Sequence, residues 1–149
     1  MNPKKILLAI DEHESSARAV EYVGGIAGNC PDFTVTLMHV IEEPSEDFFE
    51  HPSHKNEFIR KQTDQSQQLL ADAKARLMEL GLAPDRIDFK TPVKKCASMA
   101  ACILEEADGG FGTLVVGRRG IPKSEEFLFG SVSKKIVDFA KKCTVWVVE

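Results

Sequence analysis

The apolar run Ile6-Leu7-Leu8-Ala9-Ile10, entered from Lys5 and closed by the carboxylate of Asp11, constrains this chain more than any other stretch. A strand with one wet face alternates apolar and polar residues, so an unbroken run belongs to a strand covered on both sides. Directly after it the period changes. Ala17, Val20, Val23, Gly24 and Ala27 recur three or four apart, which predicts a helix with Ser15 or Ser16 as its N-cap and an end near Asn29. Pro31-Asp32 turns the chain, and the β-branched stretch from Phe33 to Ile41 predicts a second strand. Strand, helix, strand in that order commits the chain to parallel pairing through crossovers.

The same alternation continues. Residues 42–56 hold Pro44, His51, Pro52, His54 and several acids without a period, the pattern of a long excursion from which Phe48-Phe49 can tuck onto the body. A long helix is predicted from about Glu57 to Leu80, with Ile59, Leu69, Leu70, Ala73, Leu77 and Leu80 as its apolar stripe and Gly81 as its stop. Arg86 to Thr91 alternates, which suits a third strand toward an edge. A short helix over Ala97 to Ala107, a buried strand over Thr113 to Val116, a helix over Ser131 to Lys141 and a last strand over Thr144 to Val148 complete the series. The expected fold is α/β: one domain over residues 1–149, with a doubly wound, five-stranded, mostly parallel, Rossmann-like sheet and helices on both faces. Such sheets bind ligands beyond the carboxyl ends of their strands, where the winding reverses. That directs attention to Asp11, the stretch after Val40, the turn after Thr91 and the loop after Val116.

Composition narrows the partners. The 149 residues are 43% hydrophobic and 28% charged, enough for one ordinary core. Acids and bases, 23 and 19, are interspersed, so the net charge of −4 marks no face for nucleic acid or anionic lipid. The apolar run after Met1-Asn2-Pro3-Lys4-Lys5 is too short for a signal peptide or a membrane span, and a cytoplasmic protein is expected. Cys30, Cys96, Cys102 and Cys143 lack CxxC spacing and are expected as reduced thiols in helices or at their ends.

The chemistry concentrates after the fourth strand. Gly117-Arg118-Arg119-Gly120 is followed by nine residues and then by Gly130-Ser131-Val132-Ser133, which opens a helix. Gly117 and Gly120 allow positive φ and close approach of a ligand to the backbone. Gly130 and Ser131 stand where free amides and the helix dipole attract an anion. Arg118, Arg119 and Lys123 can neutralise its charge. The features together call for a phosphate.

This spacing, GxxG, nine residues, then GS, resembles the ATP-binding signature of the universal stress proteins. The resemblance extends over nearly the whole chain: Ile6 to Asp11 looks like that family's first strand with its acidic end, Met38-His39-Val40 like its second, and Thr113 to Val148 like its C-terminal third. It implies an adenine nucleotide alpha hydrolase-like fold and a regulatory protein of the stress response that binds ATP, with Mg2+, and hydrolyses it slowly or not at all. Asp11 would then approach the ribose or the adenine edge, and the backbone of Val40 would bond the adenine. Gly117, Gly120 and Gly130 would admit the phosphates to the amides or hydroxyls of Ser131, Val132 and Ser133, with Arg118 and Arg119 beside them. A homodimer through the last strand is implied as well. Glu12 and His13 stand where many relatives carry a small Gly-Ser pair, Glu125 and Glu126 put like charge inside the phosphate loop, and Thr144 replaces a frequent proline.

Other residue patterns carry less. His51 and His54 lack a helical register and a third metal ligand. Asp11-Glu12 resembles the acidic pair of response-regulator receivers, but Lys90-Thr91-Pro92 offers no aspartate after the third strand. His39, among apolar neighbours, reads as a strand residue rather than a base. Ser131 and Ser133 have no nucleophile-elbow context, and no HxGH or SGGxDS-like signature marks an adenylyl transferase or a phosphohydrolase. The alternatives are a dimeric adaptor of the same fold without nucleotide, favoured by Glu12, Glu125 and Glu126, and a weak nucleotide phosphohydrolase.

Overall fold

The computed structural model describes residues 2–118 and 131–149. Its central strand is β1 (Asn2–Ala9), in which Ile6, Leu7 and Leu8 have no exposed surface. Both faces of the strand are covered, as the unbroken apolar run requires. Successive side chains point to opposite faces, so Ile6 and Leu8 enter one core while Leu7 and Ala9 enter the other. Each such side chain removed from water contributes about 1.5–3 kcal/mol, which makes β1 the shared wall of two cores.

On one face lies α1 (Glu14–Ala27), packed against α2 (Pro52–Glu79). The expected cap of α1 is corrected: His13 occupies the N-cap position without a side-chain bond to the helix, and Ser15 and Ser16 lie buried inside the first turn. α2 begins at Pro52, five residues before the expected Glu57. Proline fits a first turn because its missing N–H has no intrahelical partner to lose. The first turns of α2 are largely exposed and so carry no apolar period to read. A 3-10 turn, Glu46–Phe48, precedes it. Phe49 packs on Phe58 with ring centroids 5.6 Å apart, whereas Phe48 stays 73% exposed, so only one of the pair tucks in.

β2 (Thr34–Met38) ends three residues before the expected Ile41. The cause is its neighbour β4 (Ile87–Lys90), which runs into Pro92. His39 N–H still donates to the Lys90 carbonyl, but Pro92 has no N–H to return the bond. Beyond the break, β3 (Ile41–Glu42) pairs with β5 (Val93–Lys94) in a separate parallel ribbon.

The opposite face is covered by α3 (Met99–Ala107), capped by Ser98, and by α4 (Ser131–Phe139), which stops two residues before the expected Lys141. β6 (Phe111–Gly117) and β7 (Thr144–Val148) complete a sheet of order β4-β2-β1-β6-β7, parallel throughout. The five-stranded α/β fold and the edge position of the third long strand are as expected. The winding reverses between β2 and β6, on either side of β1.

The cysteines depart from expectation. Cys96 and Cys102 are joined in a disulfide with a Cα–Cα distance of 5.6 Å, while Cys30 and Cys143 are free. Their separation of six residues hides the pairing in the sequence. The chain enters α3 through a cap that folds Cys96 back over the helix's first turn.

Candidate functional site

At the switch point, the carboxyl ends of β1, β2 and β6 open into a pocket lined by Ile10, Asp11, Val40, Met99, Gly117 and Val132. It adjoins a cleft of about 520 Å³ bordered by Glu12, Glu43, Phe48 and Phe58, and Asp11, His39, Val40 and Met99 belong to both. That volume falls in the range of small-molecule and cofactor sites.

Asp11 is held in place by local bonds. The His13 amide donates to Oδ1 at 2.9 Å and the Ser16 hydroxyl at 3.0 Å, while the Asp11 amide donates to Ser16 Oγ at 2.9 Å. The first of these closes an Asx turn. His13 Nδ1 also stands 3.0 Å from Oδ2. Partial burial pushes the Asp11 pKa up, but the donors from His13 and Ser16 outweigh it and hold the carboxyl below its ordinary range. A carboxylate only accepts hydrogen bonds, so Asp11 suits ligand hydroxyl or amino groups and repels phosphate.

Val40 presents its backbone to the same space. Ile10 N–H donates to the Met38 carbonyl on the β1 side, while the His39 and Ile41 amides turn the other way, to Lys90 and Pro92. In a parallel strand the N–H and C=O of one residue share a side and alternate with the next. The peptide groups of Val40 therefore face the β1 side, beyond the last β1 rung, where a donor and an acceptor lie ready for a planar heterocycle.

His39 also reaches the cleft, and its Nδ1 shares a hydrogen bond with the fully buried Ser66 of α2. Burial lowers the His39 pKa, with Glu12 and Asp11 opposing, so the ring is held toward its neutral form. This pair was missed in the sequence. Its signal was Ser66, a polar residue four positions before Leu70 on the buried stripe of α2.

Gly117 is at the pocket wall without a positive φ, contrary to expectation. Its missing side chain answers a different need: a Cβ there would stand 2.6 Å from the Ser15 backbone. Arg118 is engaged across the β6–β7 end, its amide donating to the Val148 carbonyl at 2.6 Å and its guanidinium 3.2 Å from the Glu149 carboxylate. Val132 lines the pocket from the first turn of α4, and Ser133, one residue on, is buried. The backbone of Ser131 opens α4, whose leading amides have no intrahelical acceptor. Arg119, Gly120 and Gly130, with Lys123, Glu125 and Glu126, lie outside the described residues. The structure thus gathers Asp11, Val40, Gly117 and Val132 around one pocket, with Ser131 and Ser133 in the same helical turn as Val132.

The universal stress protein family model matches residues 2–149. The chain belongs to the universal stress protein family. Solved members share its fold. UspA from Lactobacillus plantarum is 16% identical, with a TM-score of 0.78 over 100% of this chain and 99% of that one. A universal stress protein solved in complex with cAMP is 22% identical, with a TM-score of 0.72 over 97% and 96% of the two chains. One from Archaeoglobus fulgidus, in complex with dAMP, is 15% identical, with a TM-score of 0.64 over 97% of each. Comparison with curated proteins gives no match. Among the described residues no helix is long and apolar enough to cross a membrane.

Proposed function

We propose that this universal stress protein domain, spanning residues 1–149, binds ATP with Mg2+ at the switch point and acts as a nucleotide-responsive regulator in the cytoplasm. The observation that carries the reading is the convergence of the Asp11 carboxylate and the β1-side Val40 peptide groups on one pocket. Adenine takes the donor and acceptor of Val40, and the ribose hydroxyls donate to Asp11. A carboxylate held ionised there orients the ligand, because the phosphates are driven toward the α4 end. At that end Val132 marks the first turn, and the amides of Ser131, Val132 and Ser133 with the helix dipole receive the charge. Arg119, Gly120 and Gly130 extend the phosphate site by resemblance to the family signature, and Arg118 joins it on release from Glu149. The complexes of relatives with cAMP and dAMP support an adenine nucleotide as the ligand class. By resemblance to the family turnover is slow or absent, and the protein pairs through β7 as a homodimer.

The test is calorimetric titration of nucleotide-stripped protein with ATP and Mg2+, beside Asp11→Ala and a Gly120→Val, Gly130→Val double variant checked for folding. A micromolar Kd, about −8 kcal/mol, lost in the folded variants, is the expected result. Silence up to millimolar ATP would favour an adaptor of the same fold, a reading supported by Glu12 on the cleft rim and by the Arg118–Glu149 pair.

A further inference from the structure

We propose that Cys96 and Cys102 form a thiol–disulfide exchange site, with dithiols as its reductants, and that the bond stiffens the wall of the nucleotide pocket. The inference rests on the nucleotide reading for its ligand but on the disulfide's own position for its mechanics. Cys96 lies two residues before the N-cap Ser98, and Cys102 is the fourth residue of α3. Many helices pin the entering chain to this part of the first turns by apolar contact; here the pin is covalent. Two neighbours of the bond reach the pocket. Met99 and Ile103, on either side of Cys102 along the helix, line it. Val93 and Lys94, just before Cys96, form β5 and hold β3 through the Ile41–Val93 pairing, next to Val40. The disulfide therefore ties together the α3 wall and the strand turn that presents the Val40 peptide groups.

The two sulfurs are not equivalent. Cys102 is 1% exposed, while Cys96 is partly exposed. An incoming thiolate attacks the accessible Cys96 sulfur, forming a mixed disulfide as the Cys96–Cys102 bond breaks, and Cys102 leaves as a thiolate that takes up a proton. The second thiol of the dithiol then attacks the mixed disulfide and releases Cys96. The protein gains two electrons and two protons, and the reductant leaves as a cyclic disulfide. Reduction frees the residues before Ser98 and returns conformational freedom to the pocket wall, so the nucleotide has to order it on binding.

The test uses the full chain equilibrated with oxidised or reduced dithiothreitol. Alkylation of the unfolded protein after removal of dithiothreitol, with the labelled cysteines mapped by mass spectrometry, should mark Cys30 and Cys143 from oxidising buffer and Cys96 and Cys102 as well from reducing buffer. Hydrogen exchange should quicken on reduction at the amides of residues 93–104 and Val40. ATP affinity should fall about tenfold, the cost of a slot populated in its competent form about one-tenth as often. Cys96→Ser, a change at a partly exposed position, should reproduce the reduced state and ignore dithiothreitol. Free Cys96 and Cys102 in oxidising buffer, or equal exchange at those amides in both states, would overturn the proposal. Exchange that responds to reduction in a protein that binds no ATP in either state would uphold the switch and sink the nucleotide reading.

Discussion

Gly117 leaves no room for a side chain between the end of β6 and the first turn of α1. A Cβ placed there would meet the Ser15 carbonyl at 2.6 Å, and neither the β6 end nor the first turn of α1 can retreat without disturbing Asp11 and Ser16. Gly117→Ala should therefore cost about 1–3 kcal/mol, the usual scale of overpacking, read as a lowered urea midpoint. His39 gives a pH signature. Its folded pKa lies below the unfolded value of about 6.5 because burial disfavours the imidazolium. The unfolded chain then binds the extra proton between those two values. The His39 contribution to stability is whole above about pH 6.5 and declines as the pH falls through that value toward the folded pKa. Urea midpoints of the wild type should decline over this window more steeply than those of His39→Gln. At this scale the sequence pointed to Asp11 through its place after a strand and to Val40 through resemblance to the family. The Ser66 partner of His39 and the Ser15 backbone behind Gly117 are long-range contacts, which no local pattern announces.

Among the elements, α1 meets the C-cap of α2 at glycines. Gly28, the C-cap of α1, would put a Cβ 2.0 Å from the Leu80 carbonyl, whereas a Cβ on Gly25 would meet nothing within 4 Å. The two alanine substitutions should thus differ in sign. Gly28→Ala should destabilise by about 1–3 kcal/mol, and Gly25→Ala should stabilise by about 1 kcal/mol through helix propensity alone, both measured by denaturant unfolding. Element types were legible because burial imposes its period on the sequence. Ends were less so. The exposed first turns of α2 have no period, β2 stops because of a proline on its neighbour, and the Ser15 and Ser16 side chains turn inward instead of capping α1.

For the whole molecule, the sheet leaves β4 and β7 as edges. Since the Val148 carbonyl accepts from Arg118, the peptide groups of Val148 and, two residues back, Trp146 face β6, while those of Val145 and Val147 face outward. Val147→Pro removes an outward amide and leaves the β6 ladder intact. If β7 joins two protomers, sedimentation should show a wild-type dimer and a Val147→Pro monomer with unchanged circular dichroism; a dimer that survives the substitution would place the contact elsewhere. The parallel, doubly wound sheet with helices on both faces followed from alternation and crossover rules applied to the sequence. The β3–β5 ribbon did not, because two-residue strands are too short to carry a pattern.

The uniform direction of the five strands has a mechanical side. Tension applied between the start of β1 and the end of β7 would draw one backward and the other forward along their neighbours. The rungs joining β1 to β2 and β6, and β7 to β6, would then bear load together in shear, unlike a hairpin peeled open one rung at a time. A fold wired in this way resists being pulled apart from those two strands, whether the pull comes from an optical trap or from an unfolding motor that threads chains into a protease.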